Sequence, residues 1–134
     1  AVGTSRENEL EAAVVVRIAR DLADAGATNV VILAPYAAQA QRLRAAQSGF
    51  DVYTVDAYQG RESDAVVLSI VRTPGDGPGF WSDERRLCVA LTRAQRAMRI
   101  VMHCGWTDGI LHDLERDALS RGCVVQSSMM AESS

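Results

Sequence analysis

The sequence predicts a three-layer α/β domain, a mostly parallel β-sheet with helices on both faces. Apolar runs of strand length alternate with stretches whose apolar residues recur every three or four positions, and the latter run for helices of about 12 residues. The run Val30-Val31-Ile32-Leu33-Ala34 is continuously apolar, as a strand covered on both faces must be. Gly, Pro or Ser punctuates most of the joins. A chain that alternates strand and helix closes most simply as a parallel sheet with right-handed crossovers.

Ser5 or Asn8 can cap a first helix in which Leu10, Val14, Ile18 and Leu22 recur every four residues, and Gly26 ends it. Pro35 stops the strand Val30 to Ala34. A second helix is expected from Tyr36 to Gln47, burying Ala40, Leu43 and Ala46, until Ser48-Gly49 breaks it. Val52 to Val55 reads as a short strand and Ala65 to Val71 as a longer buried one. Arg72 to Gly79 is loop by composition. Asp83 to Gln95 reads as a helix with Leu87, Ala90, Leu91 and Ala94 on its inner stripe. Met98 to Met102 is the fourth strand, and a last helix runs from Asp108 to Leu119, with Gly122 after it. The domain is expected to span residues 1–123. Residues 124–134 form a Ser-rich tail, although Val124-Val125 can add an edge strand.

At 134 residues the chain is one domain of common size, with no apolar run near the roughly 18 residues a membrane span needs. It opens Ala1-Val2-Gly3, with no initiator Met and no signal-peptide pattern, and is expected to be a fragment of something longer. A net charge of −3 excludes holding nucleic acid by bulk electrostatics, so any such contact must be local. All 14 cationic side chains are Arg. Without Lys there is no phosphate-loop lysine, Schiff base or lysine general base. Cys88, Cys104 and Cys123 fit neither a disulfide framework nor a four-Cys zinc site, and reduced core thiols are expected. His103, Cys104, His112 and Cys123 are too irregularly spaced for a zinc set.

The densest polar stretch is Thr54-Val55-Asp56-Ala57-Tyr58-Gln59-Gly60-Arg61-Glu62-Ser63-Asp64, set between two strands. Gly60 permits a positive φ or a close backbone approach, and its neighbours offer acceptors and donors within a short length of chain. With "VVILAPYAAQAQRL", "VYTVDAYQGRESDAVVLSIVRT", "GFWSDERRLCVALTRAQ" and "GTSRENELEA", residues 3 to 105 resemble the second RecA-like domain of superfamily 1 helicases, in the up-frameshift (nonsense-mediated-decay) branch. The matches are to motifs four, five and six and to the segment that opens that domain.

The resemblance implies an intracellular ATP-driven 5′-to-3′ helicase acting on RNA or DNA. Its ATP and Mg²⁺ lie between two RecA-like domains, and this chain supplies the second. The phosphate loop and the metal ligands belong to the first domain, which is thus an implied partner, beside single-stranded RNA or DNA. By the same resemblance Arg93 is the arginine finger, Tyr36 the adenine-stacking aromatic and Glu62 the ribose acceptor, with Gln39 and Gly60 also on the nucleotide. Gln59 relays between phosphate and strand. Ser5, Asn8, Thr54 and Asp56 face the nucleic acid, where short polar side chains position phosphates without a large positive field. Asp56 suits orienting a neighbour better than touching phosphate, and Ser5 and Asn8 equally suit simple capping. Arg85 and Arg86 match paired arginines that either bridge to the loop or enter the cleft. Asp83-Glu84 follows a loop and is a poor metal-binding pair. Cys88 and Ala37 depart from the family, where Asn and a polar or basic residue are common.

A non-catalytic RecA-like interaction module is the competing reading. A phosphoacceptor receiver built on Asp56 is a third, but it needs a Lys and an opening strand that this chain lacks.

Overall fold

A computed structural model describes residues 5–47, 49–71, 79–102, 109–121 and 124–126. The elements run α1 (Ser5–Asp24), β1 (Val30–Ala34), α2 (Ala37–Ala46), β2 (Asp51–Thr54), a 3-10 turn (Asp56–Tyr58), β3 (Ser63–Ser69), a 3-10 turn (Gly79–Ser82), α3 (Glu84–Leu91), β4 (Ala94–Met102), α4 (Gly109–Arg121) and β5 (Val124–Gln126). All strand pairs are parallel, in the order β2-β1-β3-β4-β5. The expected α/β sandwich is what forms, and the edge strand left open by the sequence is β5.

The strand order explains the layers. The β1-to-β2 connection runs one way across the sheet, and the connections from β2 to β3, β4 and β5 run the other. A single crossover hand therefore puts them on opposite faces. On one face α1 and α2 cover Val30, Ile32, Ala34, Ala65, Val67 and Val101. On the other, the segment after β2, α3 and α4 cover Val31, Leu33, Val66, Leu68, Ile70, Ile100 and Met102. β1 is covered on both faces, hence its unbroken apolar run.

Several expectations are corrected. The buried face of α1 is Ala12, Val15, Val16, Ala19 and Leu22, whereas Val14 and Ile18 are only half-buried. Small residues at 12 and 19 let the helix approach the sheet on a face turned by about one residue, or 100°, and that turn carries Glu11 into the core. Ala46 is exposed. α3 ends at Leu91, not Gln95, because the Thr92 hydroxyl donates back to the Cys88 and Val89 carbonyls at 3.0 Å. Pairing with β3 from Ser63 and Ala94 onward then satisfies the next backbone groups, so β4 starts well before Met98. Cys88 is exposed, not a core thiol. Cys104, Cys123 and His103 lie outside the described residues.

Candidate functional site

The segment joining β2 to β3 organises the site. β2 ends at the carboxyl edge of the sheet, with Thr54 beside Ala34. β3 begins at the amino edge, where the Ser63 hydroxyl donates to the Asn29 carbonyl at 2.9 Å. Parallel strands are normally joined by a crossover of about a dozen residues or more, usually a helix. Here residues 55–62 cross the sheet as a strap holding only a 3-10 turn. Val55 and Tyr58 are buried on Val31 and Leu33, and Val55 N–H donates to the Ala34 carbonyl at 3.0 Å. Gly60 sits at φ +79°, in the left-handed region. Nothing lies within 4 Å of a β-carbon built there, so Gly60→Ala is expected to cost only the backbone strain, about 1–2 kcal/mol. A urea midpoint lowered with an unchanged slope will show it.

At the amino edge the strap is locked to the α3–β4 corner by Arg93. Its Nε donates to the Val89 carbonyl at 3.0 Å, one Nη to the Arg61 carbonyl at 3.2 Å and the other to the Thr92 hydroxyl at 3.1 Å. Its own carbonyl accepts from Ser63 N–H at 2.9 Å. Three of five guanidinium N–H groups are thus engaged and two remain for an anion. Glu62, exposed, lies between the two residues Arg93 holds. The Arg61 guanidinium is 4.8 Å from the Tyr53 ring centroid and 5.3 Å from that of Tyr58, a cation–π stack turned towards the β2 edge. Beside them, buried Asp64 accepts from Thr28 N–H at 2.8 Å and pairs with Arg96 at 3.4 Å.

At the carboxyl edge the Thr54 hydroxyl accepts from Ala57 N–H at 3.3 Å, which starts the turn. Asp56 pairs with Arg86 at 3.5 Å, and Arg86 also approaches Asp83 at 4.0 Å. Of the two roles open to the paired arginines, Arg86 takes the bridge to the loop, and Asp56 orients a neighbour. Tyr36, half-buried, is the N-cap of α2 without a side-chain cap bond. Gln39, in the first turn, is buried. α1 runs antiparallel to the strands, so positions 5 and 8 lie at this same edge. The side chains of Ser5 and Asn8 lie outside the described residues.

The nucleotide set expected from the sequence is therefore divided. Tyr36 and Gln39 are at the carboxyl edge, and Gly60, Glu62 and Arg93 are towards the amino edge. Tyr36 follows β1 and Glu62 precedes β3, so about the length of β1, roughly 17 Å, lies between the two ends of the set. Gln59 is exposed on the strap between the edges. By contrast, all four positions expected on nucleic acid share one edge.

One feature was missed. Glu11 is fully buried, its carboxylate accepting from the Ser69 hydroxyl and from Val71 N–H at 2.8 Å. Burial pushes its pKa up to about 7, partly opposed by those two bonds. Val71 sits at φ +75°, a strained conformation for a β-branched residue. The available signal was an acid at i, i+4 and i+8 spacing with Val15 and Ala19.

The family described as an AAA domain matches residues 1–105. The chain is similar to DNA-binding protein SMUBP-2 of Rattus norvegicus, 36% identical over 104 residues, covering 72% of this chain and 10% of that protein. It is similar to a regulator of nonsense transcripts 1 homolog of Neurospora crassa, 34% identical over 143 residues, covering 91% and 13%. Helicase sen1 of Schizosaccharomyces pombe is 39% identical over 108 residues, covering 72% and 6%. The chain thus spans roughly a tenth of the length of these curated relatives. Since the matched segment takes in the strap, the Arg93 corner and every strand but the last, the chain belongs to the AAA domain family, as a superfamily 1 helicase domain of the up-frameshift-like branch.

Proposed function

We propose that the chain is the second motor domain of an ATP-driven helicase, which completes the ATP site from the amino edge of its sheet and grips single-stranded RNA or DNA at the carboxyl edge. The observation that carries this is the strap: Thr54 at one end and Glu62 at the other are joined by seven intervening residues, pinned by Val55, Tyr58 and Arg93. A contact made at one edge is felt at the other without a separate relay, and Gln59 sits midway. Thr54 and Asp56, with Ser5 and Asn8, serve the strand, and Asp56 does so through Arg86.

The residues present fit part of a nucleotide. Glu62 offers an exposed carboxylate for ribose hydroxyls, Gly60 a close backbone approach, and Arg93 a held fork with two donors to spare. They do not fit all of it. There is no Lys for a phosphate loop, and among the described residues no group of three or more His, Cys, Asp or Glu could hold a metal. Mg²⁺ and the phosphate cradle therefore fall to the first RecA-like domain of the same protein. Bound ATP supplies the phosphoryl group that passes to water. Arg93 answers the charge that develops there, and its bonds to Val89 and Arg61 spare it any reorganisation at that moment. Among the described residues no helix is long and apolar enough to cross a membrane.

In the intact protein, Thr54→Ala is expected to weaken strand binding by about fivefold, the worth of about one hydrogen bond, with nucleotide affinity within twofold of wild type. Glu62→Ala is expected to do the reverse. Fluorescence anisotropy with a labelled oligonucleotide and with a labelled ATP analogue separates the two. If both variants change the same affinity, the two-edge reading is wrong. The 134-residue chain alone should show no Mg²⁺-dependent ATP hydrolysis.

A further inference from the structure

We propose that Tyr53, through the Arg61 side chain stacked on it, is a positioning residue for Arg93 and sets the direction in which the Arg93 fork points. The inference rests on the reading of Arg93 as the arginine finger. It adds a residue that stands just before the polar stretch and touches no substrate itself.

Of the three side-chain bonds Arg93 makes, those to Val89 and Thr92 come from its own corner of the chain and move with it. Only the 3.2 Å bond to the Arg61 carbonyl reaches another segment. The direction of the fork relative to Glu62 therefore depends on where that carbonyl stands. Arg61 is exposed and follows Gly60, which holds a positive φ. Next to so permissive a residue, a carbonyl keeps one direction only if its own residue is anchored elsewhere.

Arg61 is anchored at two further points. Its N–H donates to the Tyr58 carbonyl at 3.2 Å. Its guanidinium lies 4.8 Å from the Tyr53 ring centroid and 5.3 Å from that of Tyr58. The two rings are 5.1 Å apart and inclined at 34°, so together they form a shallow cradle. Among the described residues Arg61 pairs with no carboxylate, so the rings alone hold a long side chain that would otherwise wander in solvent. A planar, weakly hydrated guanidinium suits such a cradle, whereas an ammonium keeps its water.

The two rings differ in what they are fixed to. Tyr58 belongs to the strap and moves with it. Tyr53 belongs to β2, in register with Leu33 of β1, and packs half-buried against the core that holds Val31 and Leu33. It is also the nearer ring. Tyr53 thus ties Arg61, and through its carbonyl Arg93, to the rigid sheet. Without that tie Arg93 keeps its charge and its place on the corner, but its fork is no longer aimed.

The test is steady-state ATP turnover by the intact protein at saturating single strand. Tyr53→Leu keeps an apolar side chain in the half-buried position and removes the ring face. Arg61→Met keeps a long stem over the rings and removes the charge, at an exposed position where folding is not at stake. Each is expected to lower kcat about tenfold with the KM for ATP within about twofold of wild type, since misplacing a catalytic group by about 1 Å can cost about 10²-fold. Tyr53→Phe retains the ring face and is expected to stay within about twofold of wild type. In an Arg93→Ala background neither Tyr53→Leu nor Arg61→Met should lower the residual turnover further, because both act through Arg93. A purely structural role would lower the melting temperature without that dependence on Arg93. Turnover within about twofold of wild type in both Tyr53→Leu and Arg61→Met, with Arg93→Ala crippled, overturns this inference alone, as does a tenfold loss that persists in the Arg93→Ala background. Arg93→Ala that itself turns over within about threefold of wild type overturns the finger reading and this inference with it.

Discussion

Arg93→Lys in the intact protein is expected to cut strand-stimulated ATP turnover by about 10³-fold or more, the range for loss of an arginine finger, while ATP still binds and the lost bonds to Val89, Arg61 and Thr92 lower the melting temperature by only a few degrees. The reason lies in the fork. Arg93 spends three N–H groups on Val89, Arg61 and Thr92, which fixes the plane in which the other two project. An ammonium has the charge but cannot hold those bonds and present a planar pair at the same time. A group acting only as charge moves in the transition state lowers kcat and kcat/KM together. Arg96, 70% exposed and paired with Asp64, and Arg99, on β4, should each tolerate Ala with turnover within about threefold of wild type. Should Arg93→Ala itself stay within about threefold, under about 0.7 kcal/mol of barrier, the finger assignment fails and the non-catalytic module becomes the better reading.

Glu11→Gln is expected to abolish a fall in stability that wild type shows between pH 5 and 8. The Glu11 carboxyl titrates at about 7 in the fold against 4.5 in the unfolded chain. Between those values the folded state keeps a proton that the unfolded state has released, so the contribution of Glu11 is fully present below about pH 4.5 and is lost as pH rises through 7. A shift of that size corresponds to roughly 3 kcal/mol. Glutamine stays neutral throughout and retains an oxygen for the Ser69 hydroxyl and Val71 N–H. Urea unfolding of both proteins at pH 5 and pH 8 tests it through the difference between them, since every other titrating group is common to both. A gap between wild type and variant that is the same at the two pH values would show that Glu11 does not keep its proton on folding.

Some of this was written in local pattern. Continuous apolar runs at 30–34 and 65–71 and the helical periodicities between them determined the layered α/β class, because burial on one face or two imposes a period that any short window displays. The polar stretch from Thr54 to Asp64 and the segment around Arg93 named the motor family without a coordinate, and Gly60 announced its positive φ because no other residue adopts one so cheaply.

Tertiary structure decided what depends on pairing between distant segments. Whether a residue stands at the carboxyl or amino edge follows from strand direction and register. The sequence alone therefore grouped Tyr36 and Gln39 with Glu62 and Arg93, and the sheet set them about the length of β1 apart. α3 stops at Leu91 because β3 offers backbone partners from Ser63 onward, an offer invisible in the helical pattern of residues 83–95. The burial of Glu11 was equally hidden. It follows from how closely Ala12 and Ala19 let α1 settle on β3, and a charged residue is carried into the core only when the packing of its neighbours outweighs its loss of water.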